Sequence, residues 1–151
     1  MSAYLEGLKM LARRELSEMQ VRQRLARKGH EPRAIDEAVE RLRAERALDD
    51  ARVAEAIART ETSIRRRGKV RVRMQIERAG IAKATAKRAA DEAFDGIDDD
   101  ALLDAALAKR LRGRDAVADD REFQRLYRYL VSQGFESDRA LKALNLRRRA
   151  R

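Results

Sequence analysis

Three glycines divide the 151-residue chain at nearly equal intervals, and this spacing constrains the fold more than any other feature. Gly29, Gly80 and Gly134 each follow a basic amphipathic stretch, and the intervals between them are 51 and 54 residues. A second marker agrees, because the stretch from Leu48 to Ala51 returns 49 residues later as Ile97 to Ala101. Self-similarity at a fixed period is typical of repeat proteins. The sequence therefore predicts three related units.

The residues between the glycines favour helices. Alanine, leucine, arginine and glutamate dominate, and the alternation that is typical of strands is confined to residues 70–74. A long coiled coil would need an unbroken heptad, which the glycines interrupt. We therefore predict an all-α chain of three tandem three-helix modules, stacked into an elongated array that curves with a right- or left-handed turn. Alignment on the glycines brings apolar residues into register: Val21 with Val72 and Leu126, Leu25 with Ile76 and Leu130, and Ala38 with Ala89 and Ala143.

Helix boundaries follow from residues that favour the ends of helices. Ser17 with Gln20 forms a capping box that opens a helix, and Gly29 is expected to close it. Pro32 suits a first helical position, and Asp49 or Asp50 suits a cap. A unit of about 50 residues has a marginal core alone, so stacking is expected. The predicted modules are residues 1–47, 48–96 and 97–146, followed by a basic tail at 147–151, with helices near 3–14, 17–29, 32–46, 49–66, 70–79, 82–94, 99–111, 120–132 and 137–146.

Composition argues for a binding protein and against an enzyme. Cysteine is absent and His30 is the single histidine, which excludes disulfides, thiolate nucleophiles and the usual zinc sites. There is no phosphate-cradling glycine loop, so we expect no cofactor, no bound metal and no catalytic residues. Asp49, Asp50 and the run 98–100 could hold Mg²⁺ for a nuclease, but an aspartate before a helix is more simply a cap. His30 is expected to pack where the other units have Ile81 and Phe135.

The basic residues are the candidate binding residues. Lys and Arg number 36 against 26 Asp and Glu, and the net charge of +10 indicates an anionic partner. A solvated helix surface explains any single arginine, but it explains less well that Arg22 aligns with Arg73 and Arg27 with Arg78. The C-terminal tail is expected to be disordered and to contact phosphate nonspecifically. The candidate set for partner and DNA binding is Arg22, Arg27, Arg65, Arg66, Arg67, Lys69, Arg71, Arg73, Arg78, Arg147, Arg148 and Arg149.

No membrane partner is expected. Charged residues interrupt the first fifteen residues, and no apolar run approaches the roughly 20 residues that span a bilayer. We therefore predict a cytoplasmic protein. An extended repeat gives no strong reason to dimerise, so a monomer is expected.

Several short stretches, in their order and spacing, resemble the RecX family of bacterial regulators of the RecA recombinase over nearly the whole chain. These are residues 12–21 with Leu25 and Gly29, residues 48–54, Arg66-Arg67-Gly68, Arg71-Val72 with Ile76, Ala79-Gly80-Ile81, and Leu130 with Gln133-Gly134-Phe135. Lys69 departs from the family pattern, in which proline is common at that place.

The resemblance implies three modules that bind in the helical groove of the RecA filament on DNA. It further implies modulation of ATP hydrolysis, strand exchange and coprotease activity, with inhibition as the expected direction. DNA itself is expected to bind weakly and in a salt-sensitive way. The residues leave one alternative open, a DNA-binding protein that acts through phosphate contacts independently of RecA.

Overall fold

The structure, a computed structural model, describes residues 1–148. The regular elements in that range are helices, which confirms the predicted all-α class. None of these helices combines the length and the apolar character that crossing a bilayer requires. The helices are α1 (Ala3–Arg13), α2 (Glu18–Arg27), α3 (Pro32–Ala44), α4 (Asp50–Arg59), α5 (Lys69–Arg78), α6 (Lys83–Phe94), α7 (Asp99–Leu111), α8 (Asp120–Ser132) and α9 (Ser137–Asn145).

The helix ends follow the predicted capping chemistry. Ser17 and Gln20 form the complete capping box at the start of α2, and Pro32 is the first residue of α3. Gly29 and Gly134 adopt positive φ values of 91° and 100° after α2 and α8. Because L side chains are strained in this conformation, glycine is the residue that ends these helices at least cost.

One helix end differs from the prediction. The sequence favoured a single helix to Arg66, but α4 ends at Arg59 and a π-helical turn continues from Thr60 to Ile64. The Thr62 hydroxyl donates a hydrogen bond of 2.7 Å to the Ala58 carbonyl oxygen. Such a bond competes with the backbone ladder, which gives a local reason for the wider turn.

The core consists of three hydrophobic clusters, one for each group of three helices. The first is built on α1 to α3, the second on α4 to α6 and the third on α7 to α9. Eight of the nine residues brought into register by the glycine alignment are buried, and Ala143 is half-buried. Leu48 packs in the first cluster and its aligned counterpart Ile97 packs against the second. The module boundaries at 47/48 and 96/97 stay predictions.

The first junction joins the first two clusters through the start of α2. The Ser17 hydroxyl donates a hydrogen bond to the carbonyl oxygen of Ala79, at the end of α5. The Glu18 N–H donates to Asp50 Oδ1 at 2.9 Å. Arg52 Nε lies 2.9 Å from a Glu15 carboxylate oxygen, so an ion pair also bridges the two groups of helices.

The second junction repeats this arrangement one unit later. Here the start of α5 meets the end of α8: Gly68 N–H donates to Gln133 O at 2.8 Å, and Val70 N–H donates to Gly134 O at 3.0 Å. The middle helices of the three groups are α2, α5 and α8. Each junction therefore places the beginning of one middle helix against the end of the next. Within residues 1–148, no hydrogen bond joins the first group of helices directly to the third.

Candidate anion-binding surface

Several of the predicted binding residues are engaged inside the protein. Arg22 pairs with Glu18, 3.4 Å away, and with Asp36, and these partners raise the pKa of its guanidinium. Arg73, which aligns with Arg22, is exposed and has no carboxylate of residues 1–148 within ion-pair distance. Recurrence in the sequence therefore does not mean a shared environment.

Two cations of the cluster around Gly68 pair within the second group of helices. Arg65 lies 3.4 Å from the buried carboxylate of Glu61. Lys69 Nζ lies 2.6 Å from Asp91, and this contact, with a second from Lys87, lowers the pKa of Asp91 to about 2. These side chains stabilise the helices that carry them and are not free to meet a partner without loss of those pairs.

Two further arginines of the predicted set belong to the second junction. Arg71 Nη1 donates to the Ser132 carbonyl oxygen at 2.9 Å, and its Nε is buried. Arg67 donates to the Gln133 side chain. Arg71 is only partly exposed, because the end of α8 packs against it. A sequence shows the register of a side chain on its own helix but not the neighbouring unit that covers it.

The part of the basic tail that is described is folded against the third unit. Arg147 O accepts the Val117 N–H at 2.8 Å, and the guanidinium of Arg148 lies 4.1 Å from the centroid of the Phe123 ring. Arg148 also lies 3.4 Å from Asp120. The prediction of a disordered tail is therefore wrong for Arg147 and Arg148. Arg149 lies outside the described residues.

Four members of the predicted set are exposed and lack an ion pair. They are Arg27, Arg66, Arg73 and Arg78, and no carboxylate oxygen of residues 1–148 lies within 4.0 Å of their charged nitrogens. An exposed guanidinium without a counter-charge keeps its donors available for phosphate or carboxylate. These four residues remain candidates for partner binding.

Arg27 lies in the N-terminal cationic cleft, which the sequence did not predict as a site. This cleft has a volume of about 690 Å³ between α1 and the end of α2. Within the described chain, none of its cations forms an ion pair. It is lined by Lys9, Arg13, Arg14, Arg24, Arg27 and Lys28, together with Met1, Glu6 and Met10.

The local sequence explains why the cations gather there. α1 ends at Arg13 and α2 ends at Arg27, and positive side chains in the last turn of a helix interact favourably with its dipole. The one carboxylate of the cleft is already engaged, since Glu6 Oε2 lies 2.8 Å from His30 Nε2 and this hydrogen bond lowers the pKa of Glu6. His30 is half-buried and bonds to Glu6, and its packing role stays a prediction. The six cationic side chains of the cleft outnumber its one carboxylate, and this excess of positive charge suits an anion.

Two of the five aspartates that could have held a metal ion, Asp49 and Asp98, serve as helix caps. Asp49 Oδ1 accepts the N–H groups of Ala51 and Arg52, and Asp98 Oδ1 accepts that of Ala101. No group of three or more histidine, cysteine, aspartate or glutamate side chains in residues 1–148 is arranged to hold a metal ion.

Comparison with known proteins assigns the chain to a family. The model of the first three-helix domain of RecX matches residues 3–42. A curated relative, "Regulatory protein RecX" of Halorhodospira halophila, is 34% identical over 138 residues, which are 91% of this chain and 83% of the relative. The chain belongs to the RecX family. The RecX relatives that match along most of this chain are named regulatory proteins.

Two solved RecX structures share the fold. A crystal structure of regulatory protein RecX superposes with a TM-score of 0.75 at 19% identity and covers 95% of this chain and 70% of its own. RecX from Lactobacillus salivarius gives a TM-score of 0.73 at 20% identity and covers 95% of both chains. At these identities the likeness supports the three-unit helical fold of the RecX family and says nothing about individual binding residues.

Proposed function

We propose that this RecX family protein binds the RecA–DNA nucleoprotein filament in its helical groove and inhibits RecA ATP hydrolysis, strand exchange and coprotease activity. Family membership carries this proposal, since relatives that align with 91% of the chain are named regulatory proteins. We further propose that the protein acts in the cytoplasm, as a monomer, without a cofactor and without a catalytic step of its own.

Charge supports a partner that contains nucleic acid. The N-terminal cationic cleft and the exposed residues Arg66, Arg73 and Arg78 offer unpaired positive charge on two of the three units. A polymer such as a DNA-bound filament presents phosphate and acidic protein groups at regular intervals. Weak contacts made by several linked units to one polymer combine into a much higher overall affinity. The predicted three modules suit this mode of binding.

Co-sedimentation with preformed RecA filaments tests the proposal directly. We expect the protein to pellet with the filaments and to lower their ATP hydrolysis at substoichiometric amounts. The double variant Arg24→Gln with Arg27→Gln should pellet less, because it removes two unpaired cations of the cleft. A matched control, Arg33→Gln with Arg41→Gln, removes the same charge from α3, where both arginines pair with glutamates. A parent protein that stays in the supernatant at every ratio would contradict the proposal.

The N-terminal cationic cleft also favours a second candidate, a DNA-binding protein that acts without RecA. The two functions differ in their binding to DNA alone. A filament regulator should bind bare DNA weakly, and a DNA-binding protein should bind it at least as well as it binds the filament. Mobility shifts across a salt series decide between them, because each phosphate contact on duplex DNA steepens the slope of log affinity against log salt by about 0.9.

A further inference from the structure

The Arg112 pocket lies in the third unit, between the end of α7 and α8, and belongs to none of the sites described above. Its volume is about 320 Å³. Four guanidinium groups and one carboxylate line it, which leaves an excess of three positive charges. None of these arginines was in the candidate set from the sequence. The pocket is lined by Arg110, Arg112, Arg114 and Arg125 with Glu122, Leu126 and Tyr129.

The carboxylate of the pocket is engaged mainly by one arginine. Both oxygens of Glu122 accept hydrogen bonds from Arg114, each at 2.8 Å, and Oε1 also accepts the Ala118 N–H at 3.0 Å. The Arg114 contact, followed by the backbone N–H, lowers the pKa of Glu122 to about 2. Arg125 is 3.4 Å from the same carboxylate. A bidentate pair of this kind neutralises one guanidinium, so the charge of the other arginines is left largely uncompensated.

Arg110 is held in place without a counter-charge. Its guanidinium carbon lies 3.7 Å from the centroid of the Tyr129 ring, and no carboxylate of the described chain is within ion-pair distance. Stacking on an aromatic ring fixes the plane of the guanidinium and leaves the N–H groups at its edge free to donate. The wall formed by Arg110 and Tyr129 is therefore ordered before any ligand arrives.

Arg112 holds a backbone conformation that its side chain disfavours. It ends α7 with φ 53° and ψ 50°, in the left-handed region where glycine or asparagine is the usual residue. Among the residues that the structure describes, those other than glycine with positive φ are Arg46, Arg66 and Arg112, and all three are arginines. Strain that is kept at a charged residue beside a pocket is typical of a functional position.

We propose that the Arg112 pocket binds a phosphate group, with Arg110, Arg112 and Arg125 as its donors. Planar guanidinium groups match the oxygens of phosphate. The negative charge of Glu122 balances one of the four guanidinium groups, so a net positive charge remains on one concave surface. The phosphate can belong to a nucleic-acid backbone or to a free nucleotide, and the test separates these sources. This inference goes beyond the filament proposal and does not rest on it.

The test compares two arginines that share the same strain. Arg112→Gly and Arg46→Gly each remove one positive charge and one left-handed arginine, but Arg46 lies outside the pocket. The probes are a fluorescently labelled single-stranded oligonucleotide, followed by anisotropy over a salt series, and adenosine triphosphate, followed by calorimetry. We expect Arg112→Gly to weaken binding several-fold. For the oligonucleotide, the slope of log affinity against log salt concentration should become shallower by about 0.7. Arg46→Gly should bind like the parent, and neither variant should lower Tm, since glycine relieves the strain.

Each outcome decides the proposal. Equal weakening of binding in both variants would mean that the effect comes from the loss of net charge, and this would overturn the proposal. Unchanged binding in Arg112→Gly would overturn it as well. Specific loss for the oligonucleotide assigns the phosphate to nucleic acid, and specific loss for adenosine triphosphate alone assigns it to a free nucleotide. If Arg112→Gly lowers Tm, Arg110→Gln on the exposed surface of α7 takes its place, and parental binding by that variant overturns the proposal. RecA is absent from these assays, so their failure is distinct from failure of the filament proposal.

Discussion

The two junctions occupy the same place in the repeat but are built from different chemistry. At the first junction a buried side-chain hydroxyl, Ser17, reaches the end of α5, and Met19 packs against Gly80. At the second junction the aligned residue is Gly68, and its backbone N–H makes the equivalent contact with the end of α8. A β-carbon on Gly68 would meet backbone atoms of Gly134 at well under 3.0 Å.

This difference shows what the repeat preserves. The register of one middle helix against the next is kept, while the groups that make the contact change from side chain to backbone. The second junction therefore has less room for adjustment, because backbone atoms cannot rotate out of the way as the thioether of Met19 can. The predictions below rank the consequences by their expected size.

The largest effect is expected for Gly134→Ala. Its β-carbon would lie well under 3.0 Å from Arg71 and from the Gly68 carbonyl oxygen, and φ is +100°. Overpacking costs about 1–3 kcal/mol, and left-handed strain adds about 1–2 kcal/mol. We expect a loss of about 2–5 kcal/mol in the free energy of unfolding, measured by urea denaturation.

Gly29→Ala is the matched control for this substitution. Gly29 ends α2 with φ +91°, but a β-carbon there would meet no atom within 4 Å. It should lose only the strain energy, about 1–2 kcal/mol. Equal losses at the two glycines would mean that close contact at the second junction contributes nothing to stability.

The next effect concerns the hydroxyl of the first junction. Ser17 caps α2 by accepting the Gln20 N–H and also donates to Ala79 O, and its side chain is fully buried. Ser17→Ala removes the cap and leaves a buried carbonyl oxygen without a donor, so we expect a loss of about 1.5–4 kcal/mol in thermal or urea unfolding.

Ser2→Ala separates these two contributions. Ser2 caps α1 by accepting the Leu5 N–H at 3.1 Å. It is exposed and, within residues 1–148, takes no part in a junction, so Ser2→Ala removes a helix cap only. Its loss should stay within about 0.5–2 kcal/mol. If the two serine variants are equally destabilised, the bond to Ala79 adds no stability, and the first junction depends on its other contacts, such as Met19 and the Glu18–Asp50 hydrogen bond.

The sequence predicted much of the fold because the deciding interactions are local. Capping by Ser17 and Asp49, the first helical position of Pro32 and the positive φ of Gly29 each depend on a few neighbouring residues. The π-helical turn at 60–64 was missed, since it depends on one side-chain bond that competes with the helix ladder. The junctions were missed as well, because they join residues of different units that are far apart in the sequence.

The third prediction separates two arginines that the sequence treated alike. Arg71 donates to Ser132 O across the second junction, but Arg73 on the same helix is exposed and unpaired within residues 1–148. Arg71→Gln should lose about 1 kcal/mol of unfolding free energy. Arg73→Gln should change stability by less than about 0.5 kcal/mol and weaken binding to filaments or DNA. Parental stability in Arg71→Gln would show that this hydrogen bond is not part of the junction energy.

The candidate binding surface was harder to predict because pairing is a tertiary property. Sequence spacing identified Arg27, Arg66, Arg73 and Arg78, which are exposed and unpaired in the described chain, but equally selected arginines that the fold uses for ion pairs and junctions. The N-terminal cationic cleft combines the last turns of two helices, so no single stretch of sequence contains it. Cations at consecutive helix C-termini were the feature that could have indicated it.

The smallest effect concerns a half-buried carboxylate that recurs near both junctions. Asp50 and Asp99 are aligned second aspartates, and burial raises the pKa of each above its ordinary value of 3.8. One oxygen of Asp99 is buried and accepts no hydrogen bond from residues 1–148, whereas Asp50 accepts the Glu18 N–H. A raised pKa means that the folded state holds the proton more tightly, so this contribution to stability is lost as pH rises through the folded pKa.

Asp99→Asn removes that dependence on pH. The unfolding free energy of the variant relative to the parent should therefore rise as the pH increases from below the ordinary aspartate pKa towards neutrality, as measured by urea denaturation at each pH. Asp50→Asn should change in the same direction, because burial also raises the pKa of Asp50. A relative stability that falls with pH in either variant would mean that the two junctions do not share a half-buried carboxylate whose charge the fold disfavours.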